Sequence, residues 1–467
     1  MPERPHSPFR LASNVSGVIW PAVPTPEVAL QWALLEQLEQ SQWWSTADLE
    51  AYQFAQLKLS VAHAYQTVPF YRRRFDEAGL TPDVVATPEG WRRLPILVRR
   101  DLQTQAESLV STQIPRDHGP TSVRSTGGST GEPVRVMGTG ITGFAWRVYT
   151  LRDHLWHGRD FRAKLAVIRF VESERARPPH GSQSRNWGIS TRAIDTGPCA
   201  VLTIHTTTAE QAEWLVQQDA EYFLSYPSAI LALARYCQKH GLHLPRLREV
   251  RTFGEVVEPQ VREAVRAAWG VRVVDAYSSE EFGYIALECP QHEHYHIQSE
   301  NVLVEVLDDE GRPCRPGEVG KVIISTLHNF AMPLLRYDVG DYAEVGEPCP
   351  CGRGLPVLRR ILGRQRNMFT LPTGETRWPM ISAQDIASAF EDLPPISKFQ
   401  LVQKTLERIV INMVVSRPLT PTELETVRHY VQRGLGYPFD VEVCYVDDIP
   451  RSPRGKFEEY RSEVASG

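Results

Sequence analysis

Lysine is scarce in this chain. Seven lysines stand against 44 arginines in 467 residues, so a lysine inside a motif carries unusual weight. Long apolar runs are missing too. No stretch approaches the ~20 residues that cross a bilayer, and the opening MPERPHSPFRLAS has no apolar core of signal-peptide length. The expected location is therefore the cytoplasm, with no membrane partner. Runs of like charge are absent and the net charge is −5, which argues against a nucleic-acid partner. Cysteine is sparse: seven thiols, an odd number in a long chain, argue against a disulfide framework and leave scattered thiols or a metal site.

What is present is an ordinary globular composition, 42% hydrophobic and 23% charged. At this length one core is not enough, so two or three domains are expected. Residues 27–82 repeat apolar positions at helical spacing, with Thr46 as the expected cap of the second helix, Pro69 interrupting and Pro82 closing the region. From about 120 to 330 short β-rich runs (165–171, 200–205, 271–277) alternate with helical stretches (208–218, 228–240, 259–269), the mark of α/β layers. Residues 301–307 and 320–327 read as a hairpin. Beyond 363–369 the pattern changes to strands at 396–402 and 408–415, a helix at 421–435 and a strand at 440–446. This is a small α+β unit of about 100 residues.

The stretch RSTGGSTGEPV at 124–134 offers bare amides and hydroxyls of a kind that hold anions. It is not a Walker loop, since no lysine follows Gly131, and it lacks the strand–turn–helix setting of a dinucleotide fingerprint. Three later stretches strengthen the phosphate reading. VDAYSSEEFG (274–283) sets carboxylates just after a strand. LLRYDVGD (334–341) ends a strand on an acid that could take two sugar hydroxyls. IPRSPRGKF (449–457) carries Lys456 on a loop bounded by proline and glycine.

In order, TGGSTGEP, Phe253-Gly254-Glu255, YSSEEFG, RYDVGD, ILGRQRNM and PRSPRGKF resemble the motif series of the adenylate-forming (AMP-binding) superfamily. The branch it most resembles is that of phenylacetate–CoA ligase and the capsular-biosynthesis ligases, with further likeness at 62–79, 224–237 and 349–356. The resemblance implies an α/β fold: a large N-terminal domain of layered α/β sheets over 1–362, with a helical lead-in at 1–90, and a small mobile α+β lid over 363–467. The hinge between them is expected near 363–368.

It also implies ATP-dependent, AMP-forming activation of a carboxylic acid, aromatic or aryl-alkyl by analogy, and transfer of the acyl group to coenzyme A. Thr126, Gly127, Gly128, Ser129, Thr130 and Gly131 would cradle the phosphates. Gly254, Glu255, Tyr277 and Ser278 would line the nucleotide; Asp341 and Arg364 would meet the ribose. Glu281 would coordinate Mg²⁺, and Lys456 would bridge ATP and the acid. Two positions depart from the family pattern: Glu280 stands where Thr or Ser precedes the metal glutamate, and Arg366-Asn367 replace the hinge acid. Two other readings remain, transfer to a carrier protein or amine, and a nucleotide-binding homologue without turnover. Phe144, Trp146 and Tyr149 fit either an acyl pocket or helix-core packing. The oligomeric state is left as monomer or homodimer.

Three thiols and an imidazole suit a closed structural zinc. Cys289, Cys349 and Cys351 are at hand but not at a usual zinc-finger spacing, and His292, His294 and His296 follow the first of them. The resemblance singles out His296, seven residues after Cys289, as the fourth ligand.

Overall fold

The computed structural model describes residues 13–18, 21–125, 134–364, 368–377, 396–452 and 455–464. The expected phosphate-loop residues 126–131 and the hinge residues 365–367 lie outside the described residues, as does the side chain of Arg364.

Helices Pro26–Ser41, Thr46–Thr67 and Pro69–Glu77 lead in. The second is capped by Ser45 rather than Thr46: Ser45 is extended and its Oγ accepts from the Asp48 amide at 3.1 Å. Only a residue just outside the first turn can fold its side chain back onto the unpaired amides. Thr46 instead donates its hydroxyl to the Gly354 carbonyl at 3.1 Å. Pro69 starts a helix directly after Val68, because proline at the first helical position gives up an N–H that has no partner there. Pro82 likewise opens the one-turn helix Pro82–Val85 instead of closing the helical region. Leu57, Val61, Ala64, Phe70, Tyr71 and Phe75 from these helices share a core with Ile285, Ile324 and Tyr337 of the main sheet.

That sheet has twelve strands. Five neighbours, Cys199–Thr203, Leu165–Arg169, Tyr222–Ser225, Glu249–Phe253 and Arg272–Ser279, run parallel. Helices Thr208–Gln218, Pro227–His240 and Pro259–Trp269 connect four of them. After Arg272–Ser279 the pairing turns antiparallel, through Gly283–Glu288, Tyr295–Ile297, Val357–Arg364, Tyr337–Val345, Val319–Thr326 and Val302–Leu307. The change of direction falls at residues 280–282, beside the carboxyl ends of the parallel strands, where open sheets bind ligands.

Two features were not visible in the sequence pattern. Ser122–Ser125 and Arg135–Gly138 pair antiparallel, so the glycine-rich stretch joins two strands only four residues long, too short to show a period. Asp341 lies inside Tyr337–Val345, not at its end; Gly340, at φ 78°, and a register shift after Tyr342 let the strand run on.

The C-terminal unit follows the expected strand–strand–helix–strand order over Ile396–Gln403, Arg408–Val415, Pro421–Leu435 and Asp440–Tyr445. Its helix starts at a capping box, Thr420 with Glu423, and stops at Gly436 in the left-handed region, φ 64°. A three-residue strand, Tyr460–Ser462, adds a parallel edge. Phe399, Leu401, Ile411, Val427, Val431 and Phe439 give the unit a core of its own.

Candidate active site

The carboxyl ends of the parallel strands supply the floor of the site. Ile204, Tyr226, Gly254 and the turn 280–282 each follow one of those strands. The C-terminal unit sets Lys456 onto this floor. A Cβ on Gly254 would lie 3.4 Å from Lys456 Cε and 3.7 Å from Nζ, and Gly254 itself is left-handed at φ 77°. Gly455 approaches more closely, since a Cβ there would meet Ile204 Cγ2 at 2.6 Å. A side chain at Gly455 would clash with Ile204, whereas at Gly254 the space is ordinary and the left-handed backbone is what favours glycine.

Glu255, expected beside the nucleotide, holds the lysine loop. Its carboxylate accepts from the Phe457 amide at 2.6 Å and from the Ser228 amide at 3.0 Å. Arg451 completes the joint, donating to Ser228 Oγ at 2.7 Å and to the Gly455 carbonyl at 3.1 Å, with Glu255 3.7 Å away. Arg451 and Ser228 were not singled out in the sequence; Arg451 stands five residues before Lys456 in the same run, the one signal available.

The structure brings Tyr277 and Asp341 together: the phenol donates to Asp341 Oδ2 at 2.7 Å. Asp341 is also the cross-strand partner of Arg364. Ser278 pairs with Tyr284 at the start of the turn. Asn301 pins that turn by donating Nδ2 to the Phe282 and Tyr284 carbonyls at 3.0 and 2.8 Å. Glu281 is half-buried and Glu280 exposed, and both border a narrow cavity of about 40 Å³ with Arg124, Trp146, Tyr284 and His328. The Arg124 guanidinium lies 5.8 Å from the Trp146 ring centre, and Trp146 meets Tyr284 at 5.0 Å. Of the three aromatic candidates, Trp146 therefore borders the cavity. Tyr149 is buried under Arg152, and Phe144 packs in the same helix core.

The four metal candidates also converge. Cys289, His296, Cys349 and Cys351 place their ligand atoms within 4.8 Å of one another. Cys289 and Cys349 sulfurs are 3.8 Å apart, close to the edge of a tetrahedron with zinc–sulfur bonds of about 2.3 Å. Cys351 Sγ lies 3.4 Å from His296 Nε2, while His296 Nδ1 is 3.4 Å from the Leu355 carbonyl. A carbonyl on Nδ1 selects the tautomer whose Nε2 lone pair faces the thiols. Burial pushes the His296 ring down to about 3, so it is neutral, as a ligand must be. The donor set fits a structural zinc. The cluster ties the lead-in helices to the sheet: the Gly354 amide donates to the Gln42 carbonyl at 2.9 Å, and Arg353 stacks over Trp43 and Trp156. Among the described residues no helix is long and apolar enough to cross a membrane.

Residues 375–462 match the family model of the CapK C-terminal domain. Among curated proteins the chain is similar to the phenylacetate–coenzyme A ligase of Thermus thermophilus, 29% identical over 388 residues that cover 79% of this chain and 82% of that one. It is also similar to the phenylacetate–coenzyme A ligase of Aromatoleum evansii, 28% identical over 448 residues, 90% and 95% of the two chains. Among solved structures, a 2-hydroxyisobutyryl-CoA ligase in the postadenylation state with R3-HIB-AMP matches at TM-score 0.69 and 21% identity over 91% of each chain, a likeness of fold.

Proposed function

We infer that this chain, which belongs with the adenylate-forming ligases in the branch of phenylacetate–CoA ligase and CapK, activates a carboxylic acid with ATP and passes the acyl group to coenzyme A. In the first half-reaction a carboxylate oxygen attacks the α-phosphorus, the bond to pyrophosphate breaks, and an acyl-adenylate remains. Two anions must meet, so the chain's task is charge neutralisation and in-line positioning. The observation that carries the reading is Lys456 seated against Gly254, at the carboxyl ends of the parallel strands. A cation delivered on a loop that docks and leaves can stabilise the transition state without holding the product.

Asp341 and Tyr277 supply an acceptor and a phenol for the ribose, with Arg364 across the strand pair. Ser278, Gly254 and the 126–131 segment complete the nucleotide site. Glu281 would hold Mg²⁺, which when bound neutralises phosphate charge. The acid is aryl or aryl-alkyl. Trp146, Phe282 and Tyr284 border the cavity beside Glu281, and at about 40 Å³ it has little more than the share of one water, so the ring enters by displacing Trp146. The lid pivots within 363–368, and the cysteine–histidine cluster holds one structural zinc.

The test is acid-dependent pyrophosphate release with ATP and Mg²⁺ across a panel of carboxylic acids, with no acceptor present. Lys456→Ala should lower it at least 100-fold, about 2.7 kcal/mol. Release that persists in this variant refutes the role given to Lys456, and ATP binding with no release from any acid refutes the reading in favour of a nucleotide-binding homologue. For the zinc, elemental analysis should find one atom per chain in the wild type and none in Cys289→Ala.

A further inference from the structure

One aromatic ring lies directly under the lysine loop. Tyr226 follows the strand Tyr222–Ser225 and is only 5% exposed. Its side chain is held by residues at the ends of three neighbouring strands. The Phe253 ring, at the end of Glu249–Phe253, lies 4.8 Å away and tilted by 39°. The Phe170 amide, just beyond Leu165–Arg169, donates to the Tyr226 hydroxyl at 3.4 Å. Ile204, just beyond Cys199–Thr203, shares its core, together with the fully buried Ile168, Phe223 and Val250. All of these belong to the parallel strands and the turns that follow them. The ring is therefore fixed by the large unit alone, whatever the loop does.

The two ring edges meet two glycines, one on each unit. A Cβ on Gly455, in the loop, would lie 3.3 Å from Tyr226 Cε2. A Cβ on Gly254, on the floor, would lie 3.7 Å from Cε1. Lys456 is the residue after Gly455, and its Cε would approach that same Gly254 Cβ to 3.4 Å. The ring and the lysine stem thus share Gly254 as a neighbour. Arg451 and Glu255 tie the loop down through hydrogen bonds to Ser228, the Gly455 carbonyl and the Phe457 amide. Arginine is long and flexible, so its bonds survive over a range of loop heights. A ring in close-packed contact does not yield in that way, because protein interiors are dense and stiff.

We propose that Tyr226 is a positioning residue for Lys456: its ring is the stop on which the lysine loop comes to rest, and it sets how deep the ammonium group reaches into the site. The assignment rests on the ligase reading above. Without the ring the loop loses its stop and Lys456 shifts against the reacting atoms, and a displacement of about 1 Å costs on the order of 100-fold in rate. The effect falls on the step that uses the lysine, formation of the acyl-adenylate. Transfer of the acyl group from a finished adenylate to coenzyme A does not use it. The ring, not the hydroxyl, makes the contact with the loop.

Two reactions of the whole protein separate this role from a merely structural one. The first is pyrophosphate release with ATP, Mg²⁺ and the carboxylic acid that the wild type uses fastest. The second is thioester formation from the chemically prepared adenylate of that acid and coenzyme A. Tyr226→Ala should lower kcat of the first by roughly tenfold or more, with KM for ATP and for the acid within about twofold of wild type. The second should stay within about twofold. Tyr226→Phe keeps the ring and should stay within about threefold of wild type in both. A loss shared equally by the two reactions, an unchanged kcat in Tyr226→Ala, or a Tyr226→Phe as impaired as Tyr226→Ala would each overturn the proposal. If Tyr226→Ala does not fold, Tyr226→Leu, which keeps apolar volume without a flat ring, takes its place with the same expectations. Failure of the ligase reading would show separately, as absent acid-dependent pyrophosphate release in the wild type.

Discussion

Two polar clusters lie at opposite extremes of charge balance. Behind the helix Gly140–Trp156, Asp153 is buried between Arg159 at 2.7 Å and Arg251 at 2.5 Å, and Arg159 reaches Glu249 at 2.5 Å. Burial alone would raise the Asp153 pKa, but Arg159 and Arg251 outweigh it and hold the carboxyl well below the usual range. At the seat of the lysine loop, three carboxylates, Glu255, Glu258 and Glu459, lie near Arg235 and Arg451, with Arg360 near Glu258. Burial pushes Glu459 up to about 8 and raises Glu258, and it lowers both Arg235 and Arg451. The first cluster joins the helix Gly140–Trp156 to the main sheet, and its two guanidinium groups hold Asp153 ionised. The second joins two units, and an excess of acid makes their contact conditional. If the lid opens in each cycle, as proposed, such a conditional contact suits it better than a fully balanced one.

The comparison breaks first on stability. Asp153→Ala leaves Arg251 buried without a carboxylate and Arg159 with Glu249 alone, and should cost about 3–5 kcal/mol, read as a drop in urea midpoint with unchanged slope. A loss under 1 kcal/mol would mean that water reaches this cluster and that the contrast is false. Arg451→Ala at the seat should behave oppositely. It removes charged hydrogen bonds of roughly 1.5–3 kcal/mol from docking alone, so acid-dependent pyrophosphate release should fall ten- to hundredfold while the unfolding midpoint stays put. A midpoint that moves with the activity would show that the seat is as permanent as the core.

How much of this was legible beforehand follows the range of the interactions. Helices Thr208–Gln218, Pro259–Trp269 and Pro421–Leu435 were readable to the residue, because a capping threonine or proline and a stop are local. Thr46 and Pro82 were misread because a cap and a helix start differ from a neighbouring interruption by a single backbone rotation. The residues proposed for the site came from resemblance, not from pattern. The Tyr277–Asp341 bond joins strands 64 residues apart, and the cysteine cluster closes over a loop that spacing alone does not predict. Arg124, His328 and Arg451 escaped notice because only the folded chain assembles the neighbours beside them.

The smallest effect tests the seat most directly. Burial in the docked state pushes Glu459 up to about 8, and an undocked, solvated carboxyl would return towards the ordinary glutamate value of about 4.3. The docked state therefore binds the proton more tightly, and docking is most favourable below pH 4.5, where both states are protonated. It weakens as pH rises from about 4.5 to 8 and levels off above, where the ionised carboxylate faces Glu255 and Glu258 in full. Glu459→Gln removes that titration. Trypsin cleavage in the 363–368 segment, compared between variant and wild type at each pH so that the protease's own profile cancels, should be equal near pH 4.5. The variant should become several-fold slower to cleave by pH 8, with no further change at pH 9. A ratio that stays flat from 4.5 to 9 would mean that Glu459 is solvated in the docked state, and the seat would then be held by Arg451 and Glu255 without a pH-sensitive component.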